Sequence, residues 1–130
     1  MAVKSYFKRG PILAIEQGPT ALYAKLTVGS TGAVSATAGY GLAETTPIVR
    51  NGAGNYTISL DRSYKKLLKC VHTMVLASPQ DLALTVTSDD ISTGSLTVEF
   101  SIGGTATDPS SGAIVLFEIV VADTALTGGV

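Results

Sequence analysis

Cys70 and His72 are the side chains best suited to chemistry, and they are the only cysteine and the only histidine of the chain. If they lie on a strand, their spacing of two residues puts the thiol and the imidazole on one face. A nucleophile beside its base has that arrangement. However, no motif supplies an orienting group or an oxyanion hole, and the neighbouring residues are apolar. We therefore predict a structural role for both residues and no enzymatic activity.

Acidic residues offer two further kinds of site. Glu99 and Glu118 lie in strand-like segments, and a carboxylate-based hydrolase needs two acids that face each other. Strand alternation can equally place both on the solvent face, which we favour. Asp89, Asp90 and Asp108 lie in loops and carry the hard oxygen ligands that calcium prefers. The EF-hand spacing is missing, and acidic turn residues usually bond to nearby backbone groups. We predict no metal and no cofactor.

Apolar and polar residues alternate with a period of two from about residue 20 onward, which is typical of strands with one buried face. Leu22–Val28, Asn55–Leu60 and Leu96–Ile102 are clear cases, and turns rich in Gly, Pro and Asn separate them. The pattern predicts an all-β fold, an antiparallel β-sandwich or barrel with an extended N-terminal arm. Residues 113–122 are apolar on both faces apart from one glutamate, so this strand should be covered on both sides.

Local signals add three expectations. Asp61 stands where a helix N-cap would stand, so Ser63–Lys69 could form one or two helical turns. Pro47–Gly54 has the composition of a loop. Residues 1–19 are expected to form the arm, 20–123 the β domain and 124–130 a flexible tail, with neither a signal peptide nor a membrane-spanning segment.

The composition favours an assembly. Hydrophobic residues make up 45% of the chain, charged residues only 15%, and the mean hydropathy is +0.37, whereas typical soluble domains carry about 25% charge. A surface with so few charges is easily desolvated, so it suits a protein that packs against others. The alternative is a compact monomer covered by Ser and Thr.

Charge is divided along the chain. All nine Lys and Arg residues lie at or before Lys69, together with only three acids, and seven acids follow. The halves could form a dipolar molecule whose basic end meets the acidic end of a neighbour. Alternatively, an antiparallel fold interleaves the halves and their charges pair internally. Both interpretations remain open at this point.

A basic cluster with an interleaved tyrosine lies in the middle of the chain. Its members are Arg62, Lys65, Lys66 and Lys69. Such a cluster could face an acidic partner surface, or it could simply be a solvated face. The net charge of −1 and the lack of a binding motif argue against nucleic acid as the partner.

Several segments together are similar to small structural proteins of tailed bacteriophages and prophages. These segments are Gly54–Asp61 (GNYTISLD), Leu96–Phe100 (LTVEF), the loop 107–112 (TDPSSG) and the terminal strand 114–121. The resemblance covers roughly residues 50–122. It implies a non-catalytic virion component, either a head decoration (cement) protein or a tail or fibre component, and it identifies no functional residue.

We therefore predict a capsid decoration protein that is made in the host cytoplasm and lies on the capsid surface of the virion. It would bind the major capsid protein, stabilise contacts between capsomers and self-associate as a dimer or trimer. The predicted capsid-docking arm comprises Lys4, Tyr6, Phe7, Lys8 and Arg9. The alternative is a tail or fibre module that recognises a host-surface ligand such as a carbohydrate, with Tyr40, Tyr56 and Tyr64 as candidate sugar platforms.

Overall fold

The computed structural model describes residues 19–123 of the chain, and within this range it is a sandwich of two antiparallel sheets. Two short 3-10 turns, Ser30–Gly32 and Ile91–Thr93, interrupt the strands. The described residues include no helix of the length and apolar character that a membrane crossing requires. The strands are β1 (Thr20–Val28), β2 (Val34–Tyr40), β3 (Ile48–Gly52), β4 (Asn55–Ser59), β5 (Lys66–Val75), β6 (Ala83–Asp90), β7 (Ser95–Ile102), β8 (Thr105–Ala106) and β9 (Ile114–Ala122).

Strand order brings distant parts of the chain together. The first sheet has four strands in the order β2-β1-β9-β5, so the first and last strands of the described chain are its two central strands. The second sheet has the order β3-β4-β7-β6, and the short β8 pairs with β7. The all-β sandwich predicted from the alternating pattern is thus confirmed.

The core lies between the sheets and is made by the inward residues of the four central strands. On β1 and β9, every second side chain is almost completely buried, and β4 and β7 supply the opposite wall. Phe100 lies at the centre, fully buried, with its ring 6.0 Å from each of the rings of Tyr56 and Phe117. Aromatic pairs at this separation stabilise a core beyond the area that they bury.

Two local predictions were wrong. Ser63–Lys69 forms no helical turn: the Lys65 N–H donates to the Ala122 carbonyl at 3.0 Å, and β5 begins at Lys66. Pairing with β9 supplies the backbone hydrogen bonds that a short isolated helix could not sustain. Pro47–Gly54 is not all loop either, because Ile48–Gly52 is strand β3. The turn lies at Ala53 and Gly54, where Gly54 adopts a φ of +66° that suits glycine.

Candidate interaction face

The outer face of the four-stranded sheet carries large apolar side chains that point into solvent. We call it the apolar face. Antiparallel sheets in soluble proteins usually pair a buried apolar face with a polar outer face, and this sheet departs from that rule. Its exposed large residues are Tyr23 on β1 (51% exposed), Tyr40 on β2 (67%), Val71 and Val75 on β5 (45% and 52%) and Leu116 on β9 (39%).

The register arranges these side chains in rows across the sheet. Tyr40 pairs with Tyr23, which is opposite Glu118, and Glu118 is in turn opposite Val71. In a neighbouring row, Leu116 lies between Lys25 and Thr73. Tyr23, Val71 and Leu116 line a shallow depression of about 300 Å³. Contiguous apolar area of this kind commonly marks an interaction site.

Few charges interrupt the apolar face. The Lys69 Nζ lies 3.1 Å from the Glu118 Oε1, so these two charges largely neutralise each other. Lys25 is exposed and forms no ion pair with any residue between 19 and 123. Besides Lys66 at the start of β5, the face offers one exposed lysine and one neutralised pair within a mainly apolar surface, which keeps its desolvation cost low.

The outer face of the other sheet is different in kind. Its exposed positions are mostly Ser, Thr and Asn, and they bond to one another across the strands. Asn51 Nδ2 donates to Asn55 Oδ1 and to Thr57 Oγ1, each at 2.8 Å, and the hydroxyls of Thr57 and Thr97 are 3.3 Å apart. These hydroxyl and amide groups can also bond to water, so this face is polar and readily hydrated. The two outer faces therefore differ in polarity, and the apolar face is the candidate interaction surface.

Two members of the predicted basic cluster are paired with acids of the domain. Arg62 pairs with Asp123 at 2.7 Å, and its guanidinium lies 4.2 Å from the centre of the Tyr64 ring. Lys69 forms an ion pair with Glu118, while Lys65 is exposed. Lys66 lies in β5 and has an interaction of its own. The charges of Arg62 and Lys69 are thus neutralised by acids of the same domain.

Ion pairs within the domain also account for part of the division of charge between the basic first part and the acidic last part of the chain. Each of the three ion pairs among the described residues joins the basic first part of the chain to the acidic last part: Arg50–Asp108, Arg62–Asp123 and Lys69–Glu118. The fold places β1 beside β9 and β5 beside β9, so the two halves interleave. For these six residues, internal pairing holds and the dipolar interpretation does not.

Cys70 and His72 do share one face of β5, as their spacing predicts, and that face points inward. The His72 ring packs edge-on against Phe100, with the ring centres 5.3 Å apart. Burial raises the pKa of the Cys70 thiol to about 11 and lowers the pKa of His72. A thiol with such a pKa is almost entirely protonated at neutral pH, so it is a poor nucleophile.

The acidic candidates are also dispersed. Glu99 lies on the outer face of one sheet and Glu118 on the outer face of the other, so the two carboxylates cannot face each other across a substrate. Asp108 is engaged by Arg50 rather than grouped with Asp89 and Asp90. Across residues 19–123, no three His, Cys, Asp or Glu side chains converge in a way that could hold a metal ion.

Asp108 instead ties together loops at one end of the sandwich. Its carboxylate accepts two hydrogen bonds from Arg50, at 3.1 and 2.8 Å, and one from the Gly54 N–H at 2.8 Å. Its backbone carbonyl accepts a bond from the Gln80 amide at 3.2 Å. The bonds from Arg50 and from the Gly54 N–H hold the pKa of Asp108 below its ordinary value, although burial opposes them.

We expect a pH dependence of stability from this carboxylate. Because the folded-state pKa is depressed, its contribution is fully present above the ordinary value of 3.8 and is lost as the pH falls through the folded value. Urea unfolding of the wild type between about pH 6 and pH 2 should show this loss. Asp108→Asn should be less stable at pH 6 and should show a shallower acid dependence. Equal acid slopes in the two proteins would contradict the assignment.

The three tyrosines proposed as sugar platforms do not form a groove. Tyr56 is fully buried and donates its hydroxyl to the Gly32 carbonyl at 2.6 Å, and burial raises its pKa to about 12. Tyr64 is 5% exposed and bonds to Asp61. Only Tyr40 is at the surface, where its neighbour is Tyr23.

Comparison with known proteins gives no relative. Searches of protein-family models, curated proteins and solved structures found no match.

The predicted docking arm, Lys4, Tyr6, Phe7, Lys8 and Arg9, lies outside the described residues, as does the predicted tail, 124–130. Sequence reasoning missed Tyr23, Val71, Val75 and Leu116 as surface residues. One signal was available, since residues 113–122 are apolar at both alternating sets of positions. That pattern predicts a strand covered on both sides, yet only the inner side of β9 is covered within the described domain.

Proposed function

We propose that this chain is a non-enzymatic structural protein of a bacteriophage virion, a decoration (cement) protein that self-associates and binds the outer surface of the head. The observation that carries the proposal is the apolar face, which has no counterpart on the opposite sheet. Such a surface contributes binding energy by removing apolar area from water. A protein with this surface is suited to permanent assembly.

We propose that the apolar face is occupied by a second copy of this chain. Four strands and about eight residues give a face of roughly 19 Å by 26 Å. Two such faces together bury about 1,000 Å², the lower bound for a specific interface. Within each copy Glu118 is paired with Lys69, so the acid of this face adds no unpaired charge to a two-fold interface.

Attachment to the head is assigned to the arm. Aromatic side chains at Tyr6 and Phe7 can serve as buried anchors, and the cations at Lys4, Lys8 and Arg9 can meet acidic loops of the major capsid protein. Many modest contacts repeated around a symmetric shell become effectively permanent through avidity. The proposal places the self-association surface and the capsid surface on different parts of the chain.

The test uses heads from the virus or prophage whose genome encodes the chain. Quantitative mass spectrometry of purified particles should find hundreds of copies per head. Heads that lack the protein should recover it on incubation with the full chain, but not with a chain lacking residues 1–10, although that chain keeps its circular dichroism spectrum. A few copies per particle would indicate a tail location, and complete absence from particles would reject the proposal.

A second candidate is a tail or fibre module that binds carbohydrate. Tyr23 and Tyr40 favour it, because they are register partners on adjacent strands and both rings are more than half exposed. An exposed aromatic ring is the kind of surface on which a sugar ring packs. A glycan-array screen with the wild type and with Tyr40→Ala discriminates the candidates. Specific glycan binding that the substitution removes would favour the fibre module over the decoration protein.

A further inference from the structure

The free edge of β2 differs from the other edges of the two sheets. Proteins normally place charges on edge strands, because an unpaired edge is a template for a strand of another chain. The other three edge strands follow this rule, with Lys66 and Lys69 on β5, Arg50 on β3, and Asp89 and Asp90 on β6. β2 has no charged residue, and neither has any other position from 28 to 43.

β2 also gains little stability from its own domain. Among residues 19–123 it pairs only with β1, and this pairing is regular only from Ala36 to Tyr40, because a bulge interrupts the start of β2. Alanine and glycine are depleted in strands, and most side chains of β2 are exposed. A second hydrogen-bonded neighbour would therefore supply stability that neither composition nor burial gives to this strand.

A second copy of β2 fits this edge. Two identical strands that pair about a two-fold axis set like residues near each other, so a charged edge would repel its own copy. An antiparallel pair centred on Ala38 uses all five regular positions of β2 and sets Tyr40 opposite Ala36 of the other copy. The Tyr40 side chain is 67% exposed, and in this register it lies beside a small side chain on the same face.

The charges of the apolar face oppose such a pair only weakly. Lys25 is the charge of this face closest to the edge, because it lies opposite Ala38 on the adjacent strand. In the pair, three inter-strand steps separate Lys25 from its copy, or about 14 Å. Salt screens most of the repulsion between exposed charges at this distance.

We propose that β2 pairs with β2 of a second copy, antiparallel and centred on Ala38, so that two four-stranded sheets become one sheet of eight strands. This second self-association surface goes beyond the face-to-face pairing proposed above and does not depend on attachment to a head. Five residue pairs bury less than a specific interface normally requires, so the edge contact is weak alone and strengthens the face-to-face pairing through avidity. The edge axis is perpendicular to the sheet and the face axis is parallel to it, so both contacts together can close at four copies.

Disulfide cross-linking tests the centre of the contact. Ala38 and Thr73 are exposed residues at opposite ends of one row, because Ala38 pairs with Lys25, Lys25 with Leu116, and Leu116 with Thr73. A cysteine is placed at either end of this row in the full chain that carries Cys70→Ala. On oxidation, Ala38→Cys should form covalent dimers at least about 10-fold faster than Thr73→Cys, because directly opposed strand residues meet the separation that a disulfide needs. Equal rates would overturn the proposal.

Hydrogen exchange of the unmodified chain gives a second measurement. Alternate amides of an edge strand point away from their sheet, and they exchange quickly unless another strand covers them. Exchange in peptides from β2 should slow several-fold as the protein concentration is raised, whereas peptides from β5, the other edge of the same sheet, should keep their rate. Because face-to-face pairing covers both edge strands alike, its failure would not imitate failure of the edge contact. Exchange at β2 that is independent of concentration, or that slows equally at β5, would overturn the proposal.

Discussion

Leu116→Asp is expected to weaken self-association of the chain at least about 100-fold. Leu116 lies near the centre of the apolar face, between Lys25 and Thr73, and is already 39% exposed in the described domain. A carboxylate there costs the monomer little, because it can pair with the exposed Lys25 opposite it, but burying that pair against the apolar side chains of a second copy costs several kcal/mol of desolvation. Each interval of about 1.4 kcal/mol corresponds to a tenfold change in Kd. Sedimentation equilibrium of the two proteins over a range of concentrations measures the effect.

Thr97→Asp is the matched control for this experiment. Thr97 lies on the outer face of β7, in the polar sheet, and β7 is a central strand like β9. The same charge is thus introduced at the middle of the opposite face. This variant should associate like the wild type, and both variants should keep nearly the wild-type melting temperature. If the two substitutions weakened association equally, the apolar face would not be the interface.

Phe100→Ala is expected to lower the free energy of unfolding by about 3–5 kcal/mol, the range found when a buried aromatic residue is truncated in a core. The Phe100 side chain is fully buried, and the rings of Tyr56, His72 and Phe117 surround it at centre distances of 5.3–6.0 Å. Both sheets contribute to this group, so its loss leaves a cavity that neither sheet can close alone. Equilibrium urea unfolding measures the change.

Ile102→Ala provides the control on the same strand. Ile102 is 44% exposed and ends β7, beyond the core. Its truncation should change the free energy of unfolding by no more than about 0.5 kcal/mol, as is usual at surface positions. A loss of less than about 1 kcal/mol for Phe100→Ala would contradict the central place that the structure gives to this ring.

The Arg50–Asp108 pair shows why the sequence could not resolve its own charge pattern. Arg50 and Asp108 are 58 residues apart, and their contact depends on the hairpin of β3 and β4 lying beside the loop that precedes β9. Composition states only that the halves of the chain have opposite charge. Whether these charges attract a neighbour or pair internally is decided by strand order, which no local pattern encodes.

The sequence by itself determined the all-β class and most of the inward residues. A strand turns every second side chain to the same side, so alternation at Leu22–Val28, Asn55–Ser59 and Leu96–Phe100 identifies the buried set before any fold is known. It also identified the common face of Cys70 and His72. Local preferences failed at Ser63–Lys69, where pairing with β9 outweighed a weak tendency to form helix.

Only the tertiary structure decided which outer face is apolar. Tyr23, Val71 and Leu116 are far apart in the sequence, and each is an ordinary strand residue in its own segment. They become one surface because β1 and β5 both pair with β9, whereas the Ser, Thr and Asn residues of β4 and β7 form the other. The physical reason is that a strand fixes the spacing of its own side chains, while its neighbours in the sheet fix what those side chains stand beside.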